Sequence, residues 1–348
     1  MIDFPEVRVF DASDQEDDAA LELLRLVKGL GIETPMVIAT IHGRALGARL
    51  GGSHELLVDA ATANQVRAAE LGARARRSGA DGIVAIGGGR CLDVSKLAAA
   101  RAGVTVIAVP TQLSHDGICS PVAVVPDADG VGQSIGAVAP RVVYLALPTL
   151  LGAPPESVGA GLGDLLANPL ALRDWALAAD HGLEQPDQRA WDFSVESFER
   201  IKAHLDSDVP EMARDPVFLR SLADALVLSG MAMICAGSSR PASGGEHEIS
   251  HAIDQHLGGR ALHGAQVAFG CVFSVALYGE DAAAFRERLA RLGLPQHPGQ
   301  LGLSEDDAVE LLLAAPGTRP GRFTILEDAD LDEAKARALV RSIWRREE

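Results

Sequence analysis

The chain has 348 residues, 47% of them apolar, which is enough for two domains or one large one around a substantial core. Its 31 basic side chains face 48 acidic ones, a net charge of −17 with no basic run, which argues against nucleic acid as a partner because a polyanion needs clustered Lys and Arg. Four widely spaced cysteines without a C-x-x-C pair read as buried free thiols of a reduced cytoplasm, and "MIDFPEVRVF" lacks the pattern of a signal peptide. No later apolar run is expected to reach the roughly 20 residues that span a bilayer, so a soluble cytoplasmic protein is expected.

Between residues 7 and 147, the apolar or β-branched runs "VRVF", "MVIAT", "LLVD", "GIVAI", "VTVIAV" and "VVYLAL" alternate with amphipathic stretches such as "TANQVRAAELGARARR". This alternation predicts βαβ units and a mainly parallel sheet, in a Rossmann-like α/β domain. After "LGAPPES" the β-branched runs disappear, and helical periodicity covers 157–181, 190–205, 215–237, 263–279 and 331–346. The paired prolines at 154 and 155 place the boundary between two domains, 1–153 and an all-helical 154–348.

Four segments carry candidate chemistry. In "DGIVAIGGGRCLDVSK" a strand runs into Gly87, Gly88, Gly89 and Arg90 and then a helix, whose free N–H groups suit a pyrophosphate. Asp93 and Lys96 stand one turn apart on one face of that helix. The next strand ends in "VPTQLSHDGICSPVAV", where Thr111, Ser114, Asp116 and Ser120 read either as a ligand loop at the sheet's carboxyl edge or as an ordinary polar turn. "GLGDLLANPLALRDWALA" places Asp164 at the start of a helix, as a ligand or as a simple cap. Finally, "GGEHEISHAIDQHLGGRALHG" spells the H-E-x-x-H of a zinc protease, with His247 and His251 on one helical face and Glu248 as base. His263 could instead join the two histidines in a different site.

Taken together, "GGGRCLDVSK", "PTQLSHDGICSPVAV", "GLGDLLANPLALRDWALA", "SGMAMICAGSSRPASGGEHEISHAID" and "LHGAQVAFG" resemble the sn-glycerol-1-phosphate dehydrogenases. These belong with the iron-containing alcohol dehydrogenases, glycerol dehydrogenase and, more remotely, dehydroquinate synthase. The resemblance implies a Rossmann-like α/β domain followed by a helical one, and a homo-oligomer. It implies one divalent metal, usually zinc with iron or nickel as alternatives, held by Asp164, His247 and His263. It implies substrate contacts from Asp116 and His251. A nicotinamide cofactor is implied along Gly87 to Asp93 and Thr111 to Ser114, with Ser120 nearby.

The implied reaction is reduction of dihydroxyacetone phosphate to sn-glycerol 1-phosphate by NAD(P)H. Three protein ligands leave a metal open to a substrate oxygen, and His251 or a water on Asp116 could relay the proton. Arg240 with Ser238 and Ser239 offers a seat for the phosphate. "MVIATIHGRALG" lacks the acidic residue expected to bind the adenosine ribose and supplies His42 and Arg44, which favours NADP(H). Departures such as Gln112, Leu113, Gly245 and Pro169 leave two alternatives: a dehydrogenase of another small polyol or keto compound, and a cyclase or lyase that uses the cofactor transiently.

Overall fold

The computed structural model describes residues 3–11, 16–56, 62–127 and 130–344. The first half alternates strand and helix: β1 (Glu6–Phe10), α1 (Glu16–Gly29), β2 (Pro35–Ala39), α2 (Arg44–Gly47), β3 (Ser53–Leu56), α3 (Gln65–Ser78), β4 (Gly82–Gly87), α4 (Gly89–Ala102), β5 (Thr105–Pro110), β6 (Val122–Pro126), β7 (Gly132–Gly136) and β8 (Val142–Ala146). Six strands form one parallel sheet in the order β1-β8-β5-β4-β2-β3, as the apolar runs predict. The strand expected over "LLVD" lies at Ser53–Leu56, and its residues 57–59 fall outside the described residues.

Alternate side chains of the central strands enter two cores. Met36, Ile38, Ile83 and Ala85 face α3, α4 and the helical half. Val37, Ala39, Val84 and Ile86 face Ala19, Leu23 and Val27 of α1. The first core continues without a break into the second half, whose elements are helical: α5 (Leu147–Leu151), α6 (Pro155–Leu165), α7 (Asn168–Asp180), α8 (Gln188–Lys202), α9 (Val209–Met212), α10 (Pro216–Ala236), α11 (Gly245–Leu257), α12 (His263–Leu277), α13 (Ala282–Arg291), α14 (Glu305–Ala314), α15 (Ile325–Asp328) and α16 (Glu333–Trp344).

Three expectations need correction. The segment 157–181 is two helices, because Pro169 lacks an N–H and is accommodated in the first turn of α7, after a break at residues 166–167. "PVAV" is not loop: it is β6, paired antiparallel with β7 in a hairpin apart from the main sheet. And α10, with 21 residues, is long and apolar enough to cross a membrane by length and composition, contrary to expectation. Its apolarity has a different cause here, since 61% of the qualifying window is buried inside the protein and Ser229, on its buried side, donates to Asp116 Oδ2 at 2.8 Å.

Candidate active site

Parallel register brings the carboxyl ends of β2, β4 and β5 to one edge, with Ala39 beside Ile86 and Gly87 beside Pro110. The loops that follow border a cavity of about 630 Å³, whose opposite wall is made by α11, the start of α12 and residue 319. The glycine turn is there for close approach rather than unusual backbone angles: Gly88 caps α4 at φ −76°. A Cβ on Gly87 would lie 2.7 Å from Cys91 Cβ and 2.8 Å from Thr40 Cγ2, one on Gly88 3.1 Å from Gln112, and one on Gly89 would fall on the His115 ring. The first amides of α4 are left for an anion.

Of the expected nucleotide residues, Gly88, Gly89, Arg90, Asp93, Ser114 and Ser120 line the cavity, as do Asp116 and His251. Gly87 and Thr111 sit behind the lining, where the Thr111 N–H donates to the Gly87 carbonyl at 3.0 Å. Lys96 is a correction. It is fully buried, 2.8 Å from Asp93 Oδ1, and donates to the carbonyls of Gly117, Ser120 and Val122. A buried ammonium must satisfy its donors nearby, so this lysine ties the β5–β6 loop to α4 and does not reach a ligand.

Asp164 corrects a second expectation. It sits in the last turn of α6, not at a helix start, because Pro155 opens that helix some nine residues earlier. Its carboxylate caps no helix; Oδ2 accepts from the Asp116 N–H at 2.8 Å. Oδ1 lies 3.7 Å from His247 Nε2 and 3.8 Å from His263 Nε2, and one ligand atom from each of the three residues lies within 4.8 Å of the others. That spacing fits a single ion at about 2.0–2.2 Å from each donor. Glu246 Oε1 accepts from His247 Nδ1 at 3.0 Å, which leaves Nε2 directed at the centre.

Electrostatics favours a cation at that point. Burial opposes charge on both partners, yet the histidines hold Asp164 below its ordinary range. Burial disfavours charge on His247 too, but Asp164 and Glu246 outweigh it and raise the imidazole to about 9. Burial takes His263 down to about 3 against the pull of Asp164, leaving a neutral nitrogen free to ligate.

The protease arrangement is not present. His251 lies outside the triad, its ring centroid 6.4 Å from that of His247 and 6.2 Å from that of His263, and its Nε2 meets an Arg319 guanidinium nitrogen at 3.1 Å. Glu248 turns to Thr324, whose hydroxyl donates to Oε2 at 3.3 Å, and burial with the nearby Glu327 raises it to about 9, so it is a protonated acid rather than a base.

Arg240 is a third correction, because its guanidinium is buried and paired with Glu184 in a fork, with a further bond to the Phe323 carbonyl. Residues not assigned to the site from sequence also reach the cavity. His115 stacks edge-on to His263 at 5.8 Å, Gln112 packs on Gly88, and Arg319 projects from the irregular "GTRPGRF". "SHDG" carried a signal for His115; nothing periodic marks Arg319.

Residues 24–154 match the family model described as iron-containing alcohol dehydrogenase. A glycerol-1-phosphate dehydrogenase [NAD(P)+] of Cenarchaeum symbiosum (strain A) is 38% identical over 74% of this chain and 71% of its own length. One from Methanoculleus marisnigri is 37% identical over 88% of this chain and 83% of its own. In structure, a probable glycerol dehydrogenase from Sinorhizobium meliloti superposes with a TM-score of 0.79 at 19% identity, covering 99% of this chain and 97% of that one. With the Asp164–His247–His263 cluster at the cavity that the glycine turn lines and relatives of this identity over most of its length, the chain belongs to the glycerol-1-phosphate dehydrogenase family.

Proposed function

We propose that the protein reduces dihydroxyacetone phosphate to sn-glycerol 1-phosphate, reversibly, with NADH or NADPH and one divalent metal. The observation that carries this reading is a single cavity lined both by the glycine turn and by His247 and His263, whose ligand atoms lie within 4.8 Å of one from Asp164 behind them, in a chain of this family. Residues 1–153 then serve as the nucleotide half and 154–348 as the metal and substrate half. Asp164, His247 and His263 would hold the metal, zinc first and iron or nickel as alternatives. When bound, the metal polarises the ketone and steadies negative charge on its oxygen.

The chain's own groups supply the rest. The α4 N-terminus, with Gly88, Gly89 and Arg90, holds the pyrophosphate. Asp93, Ser114 and Ser120 line the same cavity and would contact the bound nucleotide. Burial and the Asp164 charge raise Asp116 to about 7, so it exchanges a proton near neutrality. Burial and Arg319 hold His251 well below its ordinary range, so it stays neutral and would hydrogen-bond the substrate rather than take its proton. At the end of β2, Thr40 and His42 line the cavity, and among the described residues no carboxylate lines it there, which favours NADP(H); Arg44 is exposed at the start of α2, outside the lining. A small phosphorylated substrate, a cytoplasmic setting and a homo-oligomer complete the reading.

The test is cofactor oxidation by the metal-loaded protein given dihydroxyacetone phosphate, with chiral analysis of the product and Asp164→Asn as control. Turnover to sn-glycerol 1-phosphate that the control lacks, together with its metal, is expected. Product formed without net change in cofactor absorbance would move the assignment to a cyclase, and reduction of other ketones alone to a polyol dehydrogenase.

A further inference from the structure

Arg319 and Arg322 lie in the irregular stretch before α15, at a wall shared by two cavities. Ser134, His251 and Arg319 line both the main cavity and a neighbouring one of about 590 Å³, which Arg240 and Arg322 also border. The three arginines differ in what balances them. Arg240 is ion-paired with Glu184. Arg319 donates to Ser239 Oγ at 2.7 Å and Ser134 Oγ at 2.8 Å, besides its contact with His251 Nε2. Arg322 donates to Ser239 Oγ at 3.0 Å and to the Ser243 carbonyl.

Among the described residues no carboxylate lies within ion-pair distance of either Arg319 or Arg322. Glu184, which borders the second cavity beside Arg322, is held in the fork with Arg240. Burial, then Arg319 and Arg240, pull Arg322 down to about 9, the direction expected of a cation short of anions. Two half-buried guanidiniums whose partners are hydroxyls, a carbonyl and an imidazole nitrogen therefore lack a counter-charge. An oxyanion would supply it, in the forked geometry that guanidinium groups favour.

We infer that Arg319 and Arg322, with the hydroxyls of Ser134 and Ser239, form the seat of the substrate's phosphate, and so select a phosphorylated ketone over a neutral one. The inference rests on the reductase reading above and replaces Arg240, whose charge is already matched, as the phosphate-binding arginine. The seat is well placed for it. Arg319 touches His251, which neighbours His263, so an anion on Arg319 would stand beside the metal triad, and the phosphorus of dihydroxyacetone phosphate is only three bonds from its carbonyl carbon.

The test compares dihydroxyacetone phosphate with unphosphorylated dihydroxyacetone, using metal-loaded enzyme and inorganic phosphate as inhibitor. Arg319→Ala should lower kcat/KM for the phosphorylated ketone by about 100-fold, chiefly through KM, while changing that for dihydroxyacetone only a few-fold. It should also abolish competitive inhibition by inorganic phosphate. Arg319→Lys, which keeps the charge and the packing of the stem, should recover part of the loss and serves if the alanine variant does not fold; Arg322→Ala should weaken phosphate inhibition as well. Equal losses on both ketones, or phosphate inhibition indifferent to Arg319 while dihydroxyacetone phosphate still turns over, would overturn the seat and leave the reductase assignment standing. If the wild type reduces neither ketone, yet inorganic phosphate raises its melting temperature and Arg319→Ala removes that effect, the seat stands and the reductase assignment fails.

Discussion

At the residue scale, the metal site depends on a carboxylate behind it. Glu246 is fully buried, and Oε1 accepts from both the Gly244 N–H at 2.6 Å and His247 Nδ1 at 3.0 Å. Glu246→Gln should weaken metal affinity about 10–100-fold, measured by competition with a chelator; an unchanged affinity would mean that α11 alone orients the imidazole. The thiols give a second prediction. Burial pushes Cys91 up to about 12 and Cys119 and Cys271 higher still, whereas Cys235 is only half-buried. At pH 8 one thiol per folded chain should react with an aromatic disulfide reagent and four after denaturation, and rapid reaction of more than one would contradict the packing.

Legibility at this scale follows from chemistry. Asp164, His247 and His263 could be named because few residue types bind a divalent ion and these three fall in segments that resemble a known family, and the structure gathers all three. Lys96 and Arg240 were misread for the opposite reason: a charge near a glycine turn or in a loop looks available until all its partners are seen, and apart from Asp93, one turn from Lys96, those partners lie 21–26 and 56 residues away.

At the scale of elements, the triad is assembled by a close crossing of α6 and α12. A Cβ on Gly264 would strike the Ala160 carbonyl, and one on Gly163 would strike the Gly264 carbonyl. Glycine at both positions lets the two helices meet backbone to backbone, which sets Asp164 beside His263. Gly264→Ala should therefore destabilise the fold by about 1–3 kcal/mol and lower the metal bound per chain, read by thermal melting and by elemental analysis. Normal stability with full metal content would show that the crossing has slack. The strands and most helices were visible in periodicity, since each buries its apolar positions at its own repeat. The β6–β7 hairpin was not, because its residues are split between polar turn-like sequence and half-buried positions, and its apolar side chains pack on α4 through tertiary contacts.

For the whole molecule, a metal held by Asp164, His247 and His263 would tie together α6, α11 and α12. An ion bound only by the folded state stabilises it by about 2.7 kcal/mol at a hundred times its Kd, enough to raise the melting temperature by several degrees in a chain of this size. Chelation should lower Tm by that order and added zinc restore it. A melting temperature indifferent to chelator, in protein shown to have lost its metal, would separate the site from the fold's stability.

Order of residues alone determined the α/β-then-helical architecture and the glycine turn at the head of α4, and through the family resemblance it named Asp164, His247 and His263 as candidate metal ligands. Helix and strand periods, and the scarcity of good ligand types, are local physics that a sequence records directly. The tertiary structure alone decided which charges are spent and which are free: Lys96 and Arg240 satisfied inside the protein, Arg319 and Arg322 without a carboxylate partner at the cavity, Glu248 turned away from the metal. Apart from Asp93, one turn from Lys96, the partners of these buried charges come from segments far apart in the chain, so no local pattern announces them.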